Sequence, residues 1–244
     1  MWIDELRAIT LSSDVVLRLN RPDALRVAAD AELEGPASGA RPDLRGAWTR
    51  YEAARAEARW KDQRELPLDA FLREAAGGAL PDVPGLAAAV AERLAPSLEW
   101  YPDVLPTLDY LRESGYATGL LVDLPVPLPR AWVDRARAWF DVIVSSADVR
   151  VRTPAPAVFA EAVRRLHGVP GRVLHVGDAL AADVYGAQRA GLRTALLERP
   201  QRRPPDPAGV EWLGRQEGVG PAGIRPDLRL RSLEELAAAI DAFA

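Results

Sequence analysis

Residues Arg172–Gly191 read RVLHVGDALAADVYGAQRAG, and this stretch decides the fold. Val173–Val176 is a short, nearly continuous apolar run. Such a run reads as a strand covered on both faces, which means a parallel sheet. Gly177 and Asp178 follow at its carboxyl end. After a short spacer comes a second carboxylate, Asp183, inside a helical pattern over Leu180–Ala190 that Gly191 closes. In open sheets of this kind ligands bind beyond the carboxyl ends of the strands, so Asp178 and Asp183 are candidate site residues.

The same strand-then-helix pattern recurs outward from this stretch. Ala8–Leu11, Ala117–Val122, Val142–Val144 and Thr194–Leu197 are strand candidates, and Leu228–Leu230 is a weaker sixth. Asp103–Ser114 puts Val104, Leu105, Leu108 and Leu111 on one helical side, with Gly115 as its stop. Pro154 and Pro156 open another helix through Val158, Phe159, Val163 and Leu166, closed by Gly168. Leu233–Phe243 is an amphipathic helix after a Ser232 cap. This alternation predicts an α/β fold, a doubly wound Rossmann-like parallel sheet. Residues 20–97 differ. They hold no convincing strand, and Leu44–Trp60 and Leu68–Ala75 have helical spacing, punctuated at Gly35–Ala40 and Gly77–Gly85. The expected organisation is a core of residues 1–19 and 98–244 interrupted by an all-helical cap of residues 20–97. Arg199–Arg225, rich in Pro, Gly and Arg, reads as a long loop.

A chain of 244 residues suffices for one large α/β domain with an insertion. The formal net charge is -4 and the charges are interleaved, so nothing points to nucleic acid or an anionic membrane. There is no cysteine, which excludes disulfides, thiolate metal sites and cysteine nucleophiles. His167 and His175 are the only histidines, which excludes a three-histidine zinc site. The start, MWIDELRAITLSSD, lacks the basic and apolar regions of a signal peptide, and no run approaches the roughly 18 apolar residues of a membrane span. The expected location is cytoplasmic.

The Arg172–Gly191 tract closely resembles the fourth motif of the haloacid-dehalogenase superfamily. Trp100–Gly119 resembles that family's helix and second strand, Ser145–Phe159 the segment carrying its third motif, and PDLRLRSLEELAAAI from Pro226 its final strand and helix. The resemblance covers most of the chain, and implies that the helical insert is the family's small mobile cap. Members of this type are mostly magnesium-dependent phosphatases, with dehalogenases and phosphonatases among them. In the phosphatases an aspartate ending strand one attacks phosphorus, and an aspartate two residues later is the acid and base. A Thr or Ser after strand two and a Lys before the next helix hold phosphate. Carboxylates of the fourth motif hold magnesium.

This chain departs from that pattern at three places. In Leu11–Leu17 (LSSDVVL), Ser12 stands at the nucleophile position and Asp14 at the acid/base position. A serine hydroxyl is a poor nucleophile without an activating base. A two-residue slip would make Asp14 the nucleophile, with the strand running through Ser12 and Ser13. At the substrate-binding end of strand two stand Val122, which donates no hydrogen bond, and Asp123, which adds negative charge where an anion should bind. Thr153 precedes Pro154 in place of the lysine. Arg150 and Arg152 are near but not aligned. The resemblance makes Asp178, Asp183 and Asp14 the metal set, for Mg2+. The blander alternative has Asp183 stabilising a helix start and Asp178 binding loop amides. His175 reads as a buried strand residue, His167 as a charge partner at a helix end, Trp48 and Trp60 as cap core, and Arg199–Arg203 as a solvated loop.

The losses at Ser12, Val122 and Thr153 lead to the expectation of a fold kept while phosphatase chemistry is impaired or lost, leaving a binding or scaffolding module. Two alternatives stay open. One is a magnesium-dependent hydrolase of a small phosphorylated metabolite with atypical residues. The other is a structural dimer subunit built on the cap. The expected partner is a small molecule or a protein, with no nucleic acid or membrane, and with a homodimer among the options.

Overall fold

The structure, a computed structural model, describes residues 2–19, 23–33, 44–75, 83–200 and 207–242. The first strand, β1 (Ala8–Ser12), is buried throughout and stops at Ser12. Ser13–Val16 turns at once into a short helix, α1, and Leu17–Leu19 leaves it as strand β2. The insert then forms helices α2 (Ala24–Leu33), α3 (Leu44–Lys61), α4 (Leu68–Ala75) and α5 (Val83–Leu94). Strand β3 (Leu98–Trp100) returns antiparallel to β2, with Leu17 opposite Trp100. This two-stranded ribbon, three residues on each side, was not anticipated; so short a run carries no periodicity to read. The segment Gly35–Ala40 and most of Gly77–Gly85 lie outside the described residues, whereas Gly85 falls inside α5.

The rest of the chain is α6 (Val104–Glu113), β4 (Ala117–Val122), α7 (Arg130–Ala136), β5 (Val142–Ser145), α8 (Ser146–Val149), α9 (Pro156–Arg165) and β6 (Val173–Gly177). A π-helical turn over Leu180–Tyr185 leads into α10 (Gly186–Arg189). Then come β7 (Arg193–Leu197), α11 (Pro207–Gln216), β8 (Leu228–Leu230) and α12 (Glu234–Asp241). The six-stranded sheet has the order β5-β4-β1-β6-β7-β8, with every pair parallel. The α/β expectation is met. β1 lies at the centre, where the order reverses, which is the point at which such sheets open a crevice.

One apolar cluster joins β1, β4 and β6 to α6 and α12 through Ile9, Leu11, Leu108, Leu120, Leu174, Val176 and Leu236. The insert has a cluster of its own, centred on Trp48, Tyr51, Phe71, Leu72, Val90 and Leu94. Trp48 meets Phe71 edge-on at 5.2 Å, a favoured aromatic geometry.

Three local expectations change. Residues Arg199–Arg225 are not one long loop. Pro207 opens α11, whose Leu213 is buried with Leu196, Val184 and Ile224, and two interior glycines obscure that helix in the sequence. Ser232 does not cap α12; its cap position is Leu233, whose N–H donates to Asp103 Oδ2 at 2.8 Å. The left-handed residue ending α9 is His167 (φ 50°), with Gly168 N–H reaching back to Val163 O at 2.9 Å. Among the described residues no helix is long and apolar enough to cross a membrane.

Candidate active site

Parallel register places the ends of β1, β4 and β6 side by side, with Ser12 opposite Leu121 and Leu11 opposite Val176. A cavity of about 150 Å³ opens there. Its lining includes Ser12, Asp14, Val122, Asp123, Thr153, Asp178 and Asp183, so the site residues expected from sequence meet in one place. Because β1 ends at Ser12 and Ser13 is already helical, the two-residue slip is not the register observed. Ser12 is buried, and its Oγ has no hydrogen-bond partner among the described residues. No base among the described residues is hydrogen-bonded to it.

The loop after β6 is held by one carboxylate. Asp183 Oδ2 accepts the N–H of Asp178 and of Ala179, both at 3.0 Å. Its Oδ1 lies 3.6 Å from His175 Nε2. His175 is fully buried in β6, with Nδ1 3.0 Å from Thr10 Oγ1 and its ring edge-on to Phe159, as a strand residue should be. Asp183 is therefore spent on the loop. Among the described residues no three of His, Cys, Asp or Glu gather as a metal-holding group. Asp14 and Asp178 still line the cavity. Magnesium is commonly held by one or two carboxylates plus water and substrate phosphate oxygens, and these donors suit that mode but not an all-protein cage.

Asp123 was expected to burden the site with unbalanced negative charge. The structure balances it. Arg152 places Nε 2.9 Å from Oδ1 and Nη2 2.9 Å from Oδ2. From α3 in the insert, Arg55 Nη2 lies 3.2 Å from Oδ1 and Arg59 Nη2 3.2 Å from Oδ2. Burial opposes the Asp123 charge, but Arg152, Arg59 and Arg55 overcome it and hold the carboxyl far below the usual carboxylate range. Arg55 also forms a two-bond pair with the fully buried Glu65, at 2.7 and 2.8 Å. Ser146 Oγ donates to Glu65 Oε2 at 2.9 Å.

Thr153 occupies the lysine position, before a cis peptide to Pro154. Arg59 grips it twice: Nε donates to Thr153 O at 2.9 Å and Nη2 to Thr153 Oγ1 at 2.8 Å. Arg150, considered as a substitute, is 62% exposed and nearest Asp69 at 4.0 Å, away from the cavity. Arg152 does line it. Arg55, Arg59, Glu65 and Ser146 were missed in the sequence. A signal existed, because Tyr51, Arg55 and Arg59 recur every four residues on one face of α3.

The insert is also stitched to the core by backbone. Arg152 N–H donates to Gln63 O, Glu65 N–H to Arg150 O and Leu68 N–H to Pro125 O, around an isolated antiparallel bridge between Arg64 and Val151. Trp60 does not join the insert's own core. It packs on Trp212 of α11 at 5.8 Å, a second contact between insert and core.

The model of the haloacid dehalogenase-like hydrolase family matches residues 10–191, and a second model of the same kind matches residues 150–236. The chain is 37% identical over 115 residues to a glyceraldehyde 3-phosphate phosphatase of Methanopyrus kandleri, covering 45% of this chain and 48% of that protein. It is 29% identical over 99 residues to a ribulose-1,5-bisphosphate 5-phosphatase of Halopiger xanaduensis, covering 40% and 41%. The chain thus spans about half or less of the length of these curated relatives. Among solved structures, a HAD phosphatase from Thermococcus onnurineus superposes with TM-score 0.61 at 22% identity, covering 96% of this chain and 98% of that one. A 2-haloacid dehalogenase from Pseudomonas syringae gives 0.62 at 19%, covering 98% and 100%. These likenesses carry the fold. The expectation of an inactive binding or scaffolding module is overturned, because several curated relatives are named as phosphatases. The physical reason the sequence misled is that the cations absent from the core motifs arrive from the insert and from Arg152.

Proposed function

Because the chain belongs to the haloacid dehalogenase-like hydrolases, we propose that it is a magnesium-dependent hydrolase of small phosphorylated metabolites working with an atypical set of side chains. The observation that carries the reading is the pair of guanidiniums, Arg59 and Arg152, lining the same cavity as Asp14, Thr153 and Asp178. That is the mixture phosphoryl transfer requires: cations for the phosphate and carboxylates for the proton and a metal. The names of the relatives support the same class of reaction. The small volume of the cavity under the docked insert favours a small substrate.

Ser12 has no base beside it, so the reading needs no covalent intermediate there. Water attacks phosphorus. A new P–O bond forms as the ester P–O bond breaks. One water proton stays on the released phosphate, and the other passes through the Asp14 carboxylate to the departing alkoxide. Ser12 Oγ is left to donate to a phosphate oxygen. Asp178 would hold Mg2+ together with the substrate, and the ion would neutralise charge on the phosphoryl group. The test is phosphate release from a panel of small phosphate esters with Mg2+. Wild type is expected to turn over, Asp14→Asn to fall by about 100-fold or more, and Asp178→Asn to fall with it. A wild type that releases phosphate from none of the esters overturns the proposal.

A further inference from the structure

The core lacks a lysine at the position where the resemblance calls for one, and a guanidinium from another part of the chain is bolted onto that same residue. Thr153 gives both its side-chain oxygen and its carbonyl to Arg59, at 2.8 and 2.9 Å. The seat is specific in a way that a solvated arginine would not be. Two of the guanidinium nitrogens are fixed on one residue in a fork, and Nη2 is shared with Asp123 at 3.2 Å. The neighbouring Trp60 ring lies 5.1 Å from the guanidinium carbon and backs it. Nη1 has no hydrogen-bond partner among the described residues, the side chain is 20% exposed, and the residue lines the reaction cavity.

Arg152, the other candidate, is committed elsewhere. It is 5% exposed, and its Nε and Nη2 both face the Asp123 carboxylate at 2.9 Å. Its charge is matched to a resident anion. Arg59 also lines a second cavity of about 210 Å³ on the insert side, with Trp48, Tyr51 and Trp60 in its wall. It therefore stands at the boundary between the place of reaction and the insert.

We propose that Arg59 is the phosphate-binding cation of this enzyme, seated on Thr153 in place of the missing lysine, so that the site is complete only when the insert is docked. The proposal rests on the hydrolase reading above and goes further by giving the phosphate-binding role to a residue outside the core. Phosphate affinity and docking of the insert are then linked: what lifts α3 removes the cation, and a bound phosphate holds α3 down.

The experiment compares wild type, Arg59→Ala and the relocated Arg59→Ala/Thr153→Lys protein. Two quantities are read: kcat/KM on the best phosphate ester with Mg2+, and the affinity for inorganic phosphate by calorimetry. Arg59→Ala should lose about 30-fold in both, the size of one charge-assisted contact. The relocated variant should recover most of that loss, which also shows that the substitution at Arg59 leaves the fold intact. In the relocated variant proteolysis between residues 63 and 68 should no longer be suppressed by inorganic phosphate, as it should be in wild type. Equal kcat/KM and phosphate affinity in wild type and Arg59→Ala overturn the assignment of Arg59 while leaving the hydrolase reading standing. A loss that Thr153→Lys does not restore also overturns it, because the role is then one of packing. A wild type that binds phosphate through Arg59 but hydrolyses no ester overturns the hydrolase reading alone. One that neither binds phosphate nor turns over defeats both.

Discussion

Asp103 stands just before α6, and its partners come from the far end of the chain. Its carboxylate holds Arg199 with two bonds of 2.8 and 2.9 Å and accepts the Leu233 N–H at 2.8 Å. Arg199 also lies 4.0 Å from the Tyr101 ring and reaches Val15 O, so this residue of the expected solvated loop is only 13% exposed. Burial pushes the Asp103 carboxyl up, but the Arg199 hydrogen bond, the Leu233 N–H and the Arg199 charge bring it below its ordinary value. A depressed folded pKa stabilises the fold fully above the unfolded value of about 3.9, and that contribution fades as pH falls through the lower folded value. Asp103→Asn should cost about 2 kcal/mol at neutral pH, and the gap to wild type should close below pH of about 4, as read from urea unfolding across pH. The active-site residues show what a sequence does reveal at this scale. Ser12, Asp14, Val122, Asp123 and Asp178 are legible because each sits at or just after the end of an apolar run, and Asp183 because it follows Asp178 after a short spacer, inside a helical pattern. Arg55 and Arg59 meet Asp123 and Thr153 from 68 and 94 residues away; their four-residue spacing marks one face of α3 but does not record what that face meets.

The strand-to-loop junction after β6 is an element whose shape depends on having no side chain at one position. A Cβ added at Gly177 would lie 2.2 Å from Asp183 Cβ and 2.4 Å from its Oδ2, so Asp183 would have to leave the two amides it holds. Gly177→Ala should destabilise the protein by about 2 kcal/mol with an unchanged denaturant slope. On the proposed hydrolase reading it should also weaken turnover with Mg2+, because Asp178 is placed by those amides. Most elements of the fold could be read directly. The strands β1, β4, β5, β6 and β7 are apolar runs long enough to stand out, and α6 and α9 carry clear apolar faces. The π-helical turn at Leu180–Tyr185 could not be read, since its apolar spacing passes for an ordinary helix. Neither could β2 and β3, where the sheet gives way to the insert within three residues.

Across the whole molecule, the apolar clusters of core and insert meet at Leu98 and Leu124, and ions add a second tie between them. Arg55, Arg59 and Arg152 converge on Asp123, with Glu65 behind them, at the seam between insert and core. Removing the shared anion leaves three guanidiniums facing one another with little water, and breaking such a group by taking one partner away is costly. Asp123→Asn should therefore lower stability by about 3 kcal/mol. In calorimetry it should split one unfolding transition into two, the insert melting first. In wild type the Asp123 carboxyl is held far below the usual range, so its share of the docking energy is whole above about 3.9 and is lost progressively as pH falls from there toward the lower folded value. The same seam carries a feature of another kind. Trp60 and Trp212 face each other at 5.8 Å and 36°, one indole from the insert and one from α11. Two chromophores that close share their electronic transitions, and the coupling fades steeply as they part. The protein thus writes the contact between insert and α11 into its own circular dichroism spectrum, and loss of that contact is readable there with no label attached.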